Sequence, residues 1–330
     1  MKLKLISAVV ILLPLLILNN CSGAKGEGEG KPSVKLLVVH AGSLSIPFKE
    51  ISEEFMKVYP EVEVMLESYG SRTAARQVSD LKREVDIVGS ADSDVIRKLL
   101  YPEFADFCID FTTNEMVLVY TEKSRFRDEL NESNWFDILM KDGVEYGHSD
   151  PNSDPCGYRS VLTVKLAENY YKKPGLYEKF RANTKKKNIR PKEVDLLAML
   201  EAGELDYLFI YKSVAEQHKL KYLSLPPQVN LVSAKYSDLY SQVSIRISGK
   251  KPGEKITKKG APMVYGITIP KSVKHKEWAV KFIEFILSDK GREIMKSNGQ
   301  PVLRPPVIDN PEKAPVELRG TSPCSGCPGC

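Results

Sequence analysis

The chain has 330 residues, 42% hydrophobic and 28% charged, with a formal net charge of +5. Single cores stop growing at about 250–300 residues, so two domains are expected. The small positive charge is not gathered on one face or tail as in nucleic-acid binders; its densest stretch, Lys185-Lys186-Lys187 with Arg181 and Arg190, reads as a solvated loop or helix end, and no nucleic-acid partner is expected.

In chain order, Lys2 and Lys4 precede an uncharged apolar run over residues 5–18, interrupted only by Ser7 and Pro14. A helix of that length rises about 21 Å, short of a hydrocarbon core of about 30 Å, and it suits the apolar region of a signal peptide, expected over residues 1–20. Cys21 follows where a lipoprotein signal places its lipidated cysteine, although Asn20 departs from the small residue preferred there. Lipidation of Cys21 is the expectation, against plain cleavage or an uncleaved anchor. Residues 21–33, rich in Gly, Lys and Glu, read as a flexible tether. No other segment is apolar enough to span a bilayer, so the remainder is expected outside the cytoplasm, anchored to the outer face of the cell membrane, as a monomer.

From residue 34 the pattern alternates. A strand (VKLLVV, 34–39), a Gly42-Ser43 turn and an amphipathic helix carrying Phe48, Ile51, Phe55 and Met56 are followed by a strand (62–68) and a second helix opened by Gly70-Ser71. A short strand at 85–88 and a helix at 92–100 repeat the unit. Strands are expected at 116–120, 207–211 and 264–269, and helices at 159–171, 192–202, 276–287 and 291–297. The alternation predicts a mostly parallel sheet with helices on its faces. Strands 116–120 and 264–269 are expected to cross between two α/β lobes, giving lobe I as 34–115 with 264–305 and lobe II as 116–263. Residues 306–330, with many prolines, lose periodicity and are expected to be disordered.

Ligands of open α/β sheets bind beyond the carboxyl ends of strands, where Gly42-Ser43 and Gly70-Ser71 fall. Helix N-termini present unpaired N–H groups and a favourable dipole to an anion, and the serine hydroxyls add donors. Taken singly, Ser43, Ser71 and Asp154 read more simply as helix N-caps; two Gly-Ser turns in one lobe point to an anion site. Of the cysteines, Cys108 and Cys156 stand alone, and Cys324, Cys327 and Cys330 form a CxxCxxC run to which no function is assigned. His40, His148, His218 and His275 are scattered, and no GxSxG, HExxH or P-loop occurs, so no enzyme activity and no cofactor are expected.

The stretches VVHAGSLS (38–45), YGSRTAARQV (69–78), YPEFADFCIDFTTNEMVLVY (101–120), SDPNSDPCGYRS (149–160), GELDYLFIYKSVAEQH (203–218) and VYGITIP (264–270) resemble the archaeal-type tungstate/molybdate-binding proteins of ABC transporters, and the resemblance runs through most of residues 34–305. It implies a type II periplasmic-binding-protein-like α/β fold, two lobes joined by two crossing strands around a ligand cleft. It also implies delivery of the oxyanion to a permease driven by ATPase subunits. Its binding residues carry over to Gly42, Ser43, Ser71, Asp154, Pro155, Cys156 and Tyr211, and to a glutamate matched best by Glu193, with Glu216 the competitor. The segment between Phe180 and Pro191 is shorter than the family's, which leaves the path before Glu193 open.

Two acids beside a dianion repel it, by about 4 kcal/mol per charge pair at 4 Å and an effective dielectric of about 20. Tungsten and molybdenum can rise from four to six coordination, so Asp154 and Glu193 can bond the metal as hard oxygen ligands. Ser43, Ser71, Cys156 (through its backbone) and Tyr211 are then expected to hold the oxo atoms. The alternative is a four-coordinate receptor for molybdate, sulfate or phosphate, in which Asp154 only caps its helix.

Overall fold

In the computed structural model, which describes residues 34–319, the alternation is realised from the first strand. Strand β1 (Val34–Ala41) passes through a 3-10 turn at Gly42–Leu44 into α1 (Ser45–Val58); β2 (Val62–Tyr69) enters α2 (Ser71–Ser79) directly, and β3 (Ile87–Ser90) leads to α3 (Ser93–Leu100). The chain continues through β4 (Cys108–Thr113), β5 (Met116–Tyr120), α4 (Trp135–Leu139), β6 (Tyr146–Ser149), α5 (Pro155–Tyr170), α6 (Leu176–Asn183), β7 (Ile189–Arg190), α7 (Leu197–Ala202), β8 (Tyr207–Tyr211), α8 (Lys212–Gln217) and β9 (Lys221–Ser224). It ends with α9 (Ser237–Ser241), the hairpin of β10 (Ser244–Ser248) and β11 (Lys255–Lys259), then β12 (Val264–Thr268), α10 (Lys276–Leu287), α11 (Asp289–Ser297), β13 (Val302–Asp309) and α12 (Val316–Arg319). Among the described residues no helix is long and apolar enough to cross a membrane, and the apolar run at 5–18 and Cys21 lie outside them.

Two principal sheets form, one ordered β13-β4-β12-β3-β1-β2 and one ordered β7-β6-β8-β5-β9. Strands β1, β2 and β3 are mutually parallel about β1, so the loops after them open on one edge. The expectation of a mostly parallel sheet is corrected: β12 runs antiparallel to β3 and β4, β13 runs antiparallel to β4, and the second sheet joins the parallel β6–β8 pair to the antiparallel β5. Strands β5 and β12 each belong wholly to one sheet. The crossings are therefore made by the connectors just before them, Asn114-Glu115 and residues 260–263. Asn114 ties the crossing together, its amide donating to Ser213 Oγ at 2.7 Å and to Tyr265 Oη at 3.0 Å.

The first sheet is covered by α1 and α10, whose apolar faces meet in edge-to-face aromatic pairs, Phe55 with Phe282 at 5.1 Å and Phe48 with Phe282 at 6.4 Å. Each pair adds roughly 0.5–1.5 kcal/mol beyond its buried area. The second sheet packs through Phe209, which meets Trp135 at 5.8 Å and Phe180 at 5.7 Å.

Order extends past residue 305, where disorder was expected. Pro305 and Pro306 sit on the outermost strand, β13, at the register break between Val302 and Val307, where no ladder donor is required of them. Asp309 then anchors the strand, accepting from Arg97 Nε at 2.6 Å, Tyr101 Oη at 2.7 Å and the Cys108 amide at 2.6 Å. Residues from 320 onward, including the CxxCxxC run, lie outside the described residues.

Candidate functional site

The loops after β1 and β2 and the starts of α5 and of the 3-10 turn Glu193–Leu196 converge between the two sheets. Ser43, Ser71, Asp154, Cys156, Glu193 and Tyr211 are all fully buried there, together with Gly42 and Pro155. Glu216, by contrast, is exposed on α8, where Tyr222 donates to it at 3.3 Å. The structure thus brings Glu193, and not Glu216, to the other candidates.

Backbone approach explains both glycines. A Cβ on Gly42 would stand 3.0 Å from each carboxylate oxygen of Glu193. A Cβ on Gly70 would meet the Ser153 carbonyl at 2.6 Å, the Pro191 carbonyl at 2.8 Å and Asp154 Cβ at 2.9 Å. Gly70 therefore lets the α2 start approach the backbone of the facing lobe.

The capping roles expected from local sequence do not hold. Ser43 lies inside its 3-10 turn and Ser71 is the first residue of α2, whose cap is Gly70. Asp154 does occupy the cap position of α5, with Pro155 at its first turn, yet its side chain caps nothing. Instead Asp154 Oδ2 accepts from Ser149 Oγ at 2.6 Å. Ser43 Oγ meets Tyr265 Oη at 3.0 Å, and Ser71 Oγ accepts from the Ala91 amide at 2.9 Å. The α2 N-terminus is only partly available to an anion, because the Arg72 and Thr73 amides already donate to the Ser153 carbonyl of the facing lobe, at 3.1 and 3.3 Å.

Three carboxylate oxygens remain: Asp154 Oδ1 and both oxygens of Glu193 are buried without a well-formed hydrogen bond from any neighbouring side chain or amide, and the two carboxyls face each other. Buried polar groups are ordinarily satisfied, and an unmet one costs about 1–3 kcal/mol, more if charged. Burial pushes the Glu193 carboxyl well above the usual range, and the neighbouring Asp154 charge pushes it further. Burial also raises Asp154, opposed by the Ser149 bond and by Glu193 itself. Burial therefore favours the protonated form of both acids, most strongly of Glu193.

The remaining members are held rigidly. Tyr211, ending β8, accepts from Arg159 Nη1 at 3.0 Å and packs edge-on against Tyr265 at 5.9 Å. The Cys156 thiol points away, to the Phe209 carbonyl at 3.6 Å, and burial raises it far above a thiolate's range. Buried His40 and His148 each bond the carbonyl of the following residue, Ala41 at 2.8 Å and Ser149 at 2.7 Å, bracing the strand ends that feed the site. Burial pushes His40 down to about 4, so its ring is neutral.

Several buried side chains that bond to these residues or lie beside them escaped sequence reasoning. Ser149, Tyr158 and Arg159 lie within the SDPNSDPCGYRS stretch, whose specificity drew attention without assigning them roles. Tyr265 is the second residue of the VYGITIP stretch. Asp92 looks like an ordinary helix cap, and Lys258 carries no local signal.

Comparison with known proteins follows the same geometry. The family model for bacterial extracellular solute-binding proteins matches residues 36–300. An uncharacterized solute-binding protein of Petrotoga mobilis is 54% identical over 86% of this chain and 89% of its own length. The molybdate/tungstate-binding protein WtpA of Pyrococcus abyssi is 42% identical over 96% of this chain and 97% of its own. Among solved structures, the periplasmic molybdate-binding protein of Azotobacter vinelandii superposes with a TM-score of 0.59 at 18% identity, covering 80% of this chain and 98% of its own, a likeness of fold.

Proposed function

This chain belongs to the bacterial extracellular solute-binding protein family, and from that premise we propose that it captures tungstate or molybdate outside the cytoplasm and delivers the anion to the permease of an ABC importer. The observation that carries the reading is the buried, closely facing Asp154–Glu193 pair, three of whose four oxygens receive no well-formed hydrogen bond from the rest of the protein. A sulfate receptor has no use for them, because sulfate carries no proton to donate, its sulfur adds no ligands, and the two acids only repel the anion. A metal centre that expands from four to six coordination takes them as hard oxygen donors. In this reading the Ser43, Ser71 and Cys156 amides and the Ser43, Ser71 and Tyr211 hydroxyls hold the oxo atoms, and Gly42 leaves room for Glu193. The near-full-length relative that bears the name molybdate/tungstate-binding protein supports the same ligand class.

The protein acts by binding and handover, with no chemical turnover. It works as a monomer tethered to the outer face of the membrane, through a lipid on Cys21 or through its apolar leader. Titration calorimetry with tungstate, molybdate, sulfate and phosphate tests the ligand: tungstate or molybdate is expected to bind tightly and sulfate at least about a hundredfold more weakly. Equal affinity for sulfate and tungstate would sink the carboxylate-ligand reading. Radiolabelled fatty-acid incorporation into the full chain, lost on Cys21→Ser, tests the tether.

A further inference from the structure

Beside the anion site lies a second buried cluster for which that reading has no role. Asp92, on the loop between β3 and α3, is buried against three groups from the facing lobe. Lys258 Nζ stands 2.7 Å from its Oδ2, Arg159 Nη2 stands 3.6 Å away, and the Tyr158 hydroxyl donates to the same oxygen. Arg159 Nη1 meanwhile donates to the Ala91 carbonyl at 2.7 Å and to the Tyr211 hydroxyl at 3.0 Å.

We propose that Arg159 is a positioning residue for capture, joining the anion-holding Tyr211 to Ala91 and Asp92 of the opposite lobe so that filling the site and closing the cleft become one event, and that the Asp92–Arg159–Lys258 cluster sets how long the anion stays. This rests on the oxyanion reading above. Two physical steps support it. First, a phenol oxygen that accepts from a guanidinium has its own proton free to point elsewhere. Arg159 thus turns Tyr211 into a donor aimed at the ligand. Second, the bonds from Arg159 to Ala91 and from Lys258 and Tyr158 to Asp92 all cross between lobes, so they exist only when the cleft is shut. Opening must break a desolvated charge cluster. Losing one partner of such a pair changes dissociation more than association.

The test measures tungstate release from the full chain in detergent, by rapid dilution and filtration with tungsten detected by mass spectrometry. Asp92→Asn is the sharpest variant, because Asn still caps the Asp94 amide that Asp92 Oδ1 holds at 3.0 Å, while it loses the charge. Release is expected to quicken at least about tenfold, with association changed less than about threefold. The melting temperature of the ligand-free protein is expected to stay within about 4 °C. Arg159→Lys is expected to act in the same direction, since one ammonium cannot reproduce a fork that reaches Ala91, Tyr211 and Asp92; Lys258→Met provides a third, independent break. Release from Asp92→Asn within about twofold of the unsubstituted chain overturns the proposal. So does a fall in ligand-free melting temperature with release unchanged, the mark of a purely structural residue. If the unsubstituted chain binds no tungstate, the oxyanion reading falls with it; if it binds and releases as Asp92→Asn does, only the latch falls.

Discussion

Two buried carboxylate clusters lie on the lobe boundary, one around Asp92 and one formed by Asp154 and Glu193, and burial has opposite consequences in them. Asp92 pays its desolvation cost with Lys258, Arg159 and the Tyr158 hydroxyl, and those partners hold its carboxyl well below the usual range despite burial. Glu193 has no ion pair and no well-formed donor beside it, and burial with the Asp154 charge drives its carboxyl far upward. Geometry at one boundary therefore separates two uses of an acid. A partnered carboxylate is complete within the protein, whereas an unpartnered one is complete only with something bound.

The comparison breaks most directly at Glu193. Glu193→Gln keeps the side-chain shape and removes the ligand-grade oxygen, so tungstate affinity by calorimetry is expected to fall by on the order of a hundredfold or more, beyond the 10–100-fold typical for outer-shell partners of a metal. The ligand-free protein should be no less stable, because the substitution removes a desolvated acid. If Glu216→Gln produced the loss instead, the residue assignment here would be wrong. Asp154→Asn is expected to follow with a smaller loss, since Ser149 already holds one of its oxygens.

Gly70 sharpens the comparison by separating closure from stability. Its backbone, at φ −63 and ψ 139, suits alanine, so Gly70→Ala should leave the ligand-free melting temperature unchanged or slightly raised, by the roughly 0.4–1 kcal/mol such a change yields at a compatible site. The added Cβ meets backbone of the facing lobe below 3.0 Å, so tungstate affinity should fall about tenfold. Equal affinity in this variant would mean that the lobes do not need to meet here.

How much of this was legible in the sequence differs between the two clusters. The β–turn–α repeats and the Gly-Ser turns announce themselves locally, because a strand, a turn and a helix each carry their own periodicity and punctuation, whereas Asp154 reads locally only as a cap. Glu193 has no such signal. It sits in a short 3-10 turn, and only the resemblance drew it to the site. Lys258 is the buried position of a strand with three lysines and no acid, and its meeting with Asp92 spans 166 positions of chain, so no window could reveal it. The prolines at 305 and 306 misled in the other direction. Their meaning depends on whether the strand is an edge, which is a property of the sheet and not of the segment.

The smallest expected effect is on pH, and it contrasts the clusters most directly. Glu193 has a closed-state carboxyl raised above its value in water. The closed form therefore binds a proton more readily than the open, hydrated one, and closure without ligand is favoured as pH falls toward the ordinary carboxylate range of about 4.3 and lost as pH rises. Asp92 is depressed, so its contribution to closure is already complete above about 3.9 and is lost only on further acidification. Between pH 8 and 5 the ligand-free protein should become more compact by small-angle scattering, with Glu193→Gln flattening the trend and Asp92→Asn lowering compactness at every pH without changing its slope. The effect is modest, because an open cleft hydrates both acids of the pair and relieves most of the cost. A slope that survived Glu193→Gln would assign the proton to another group and dissolve the contrast between the two clusters.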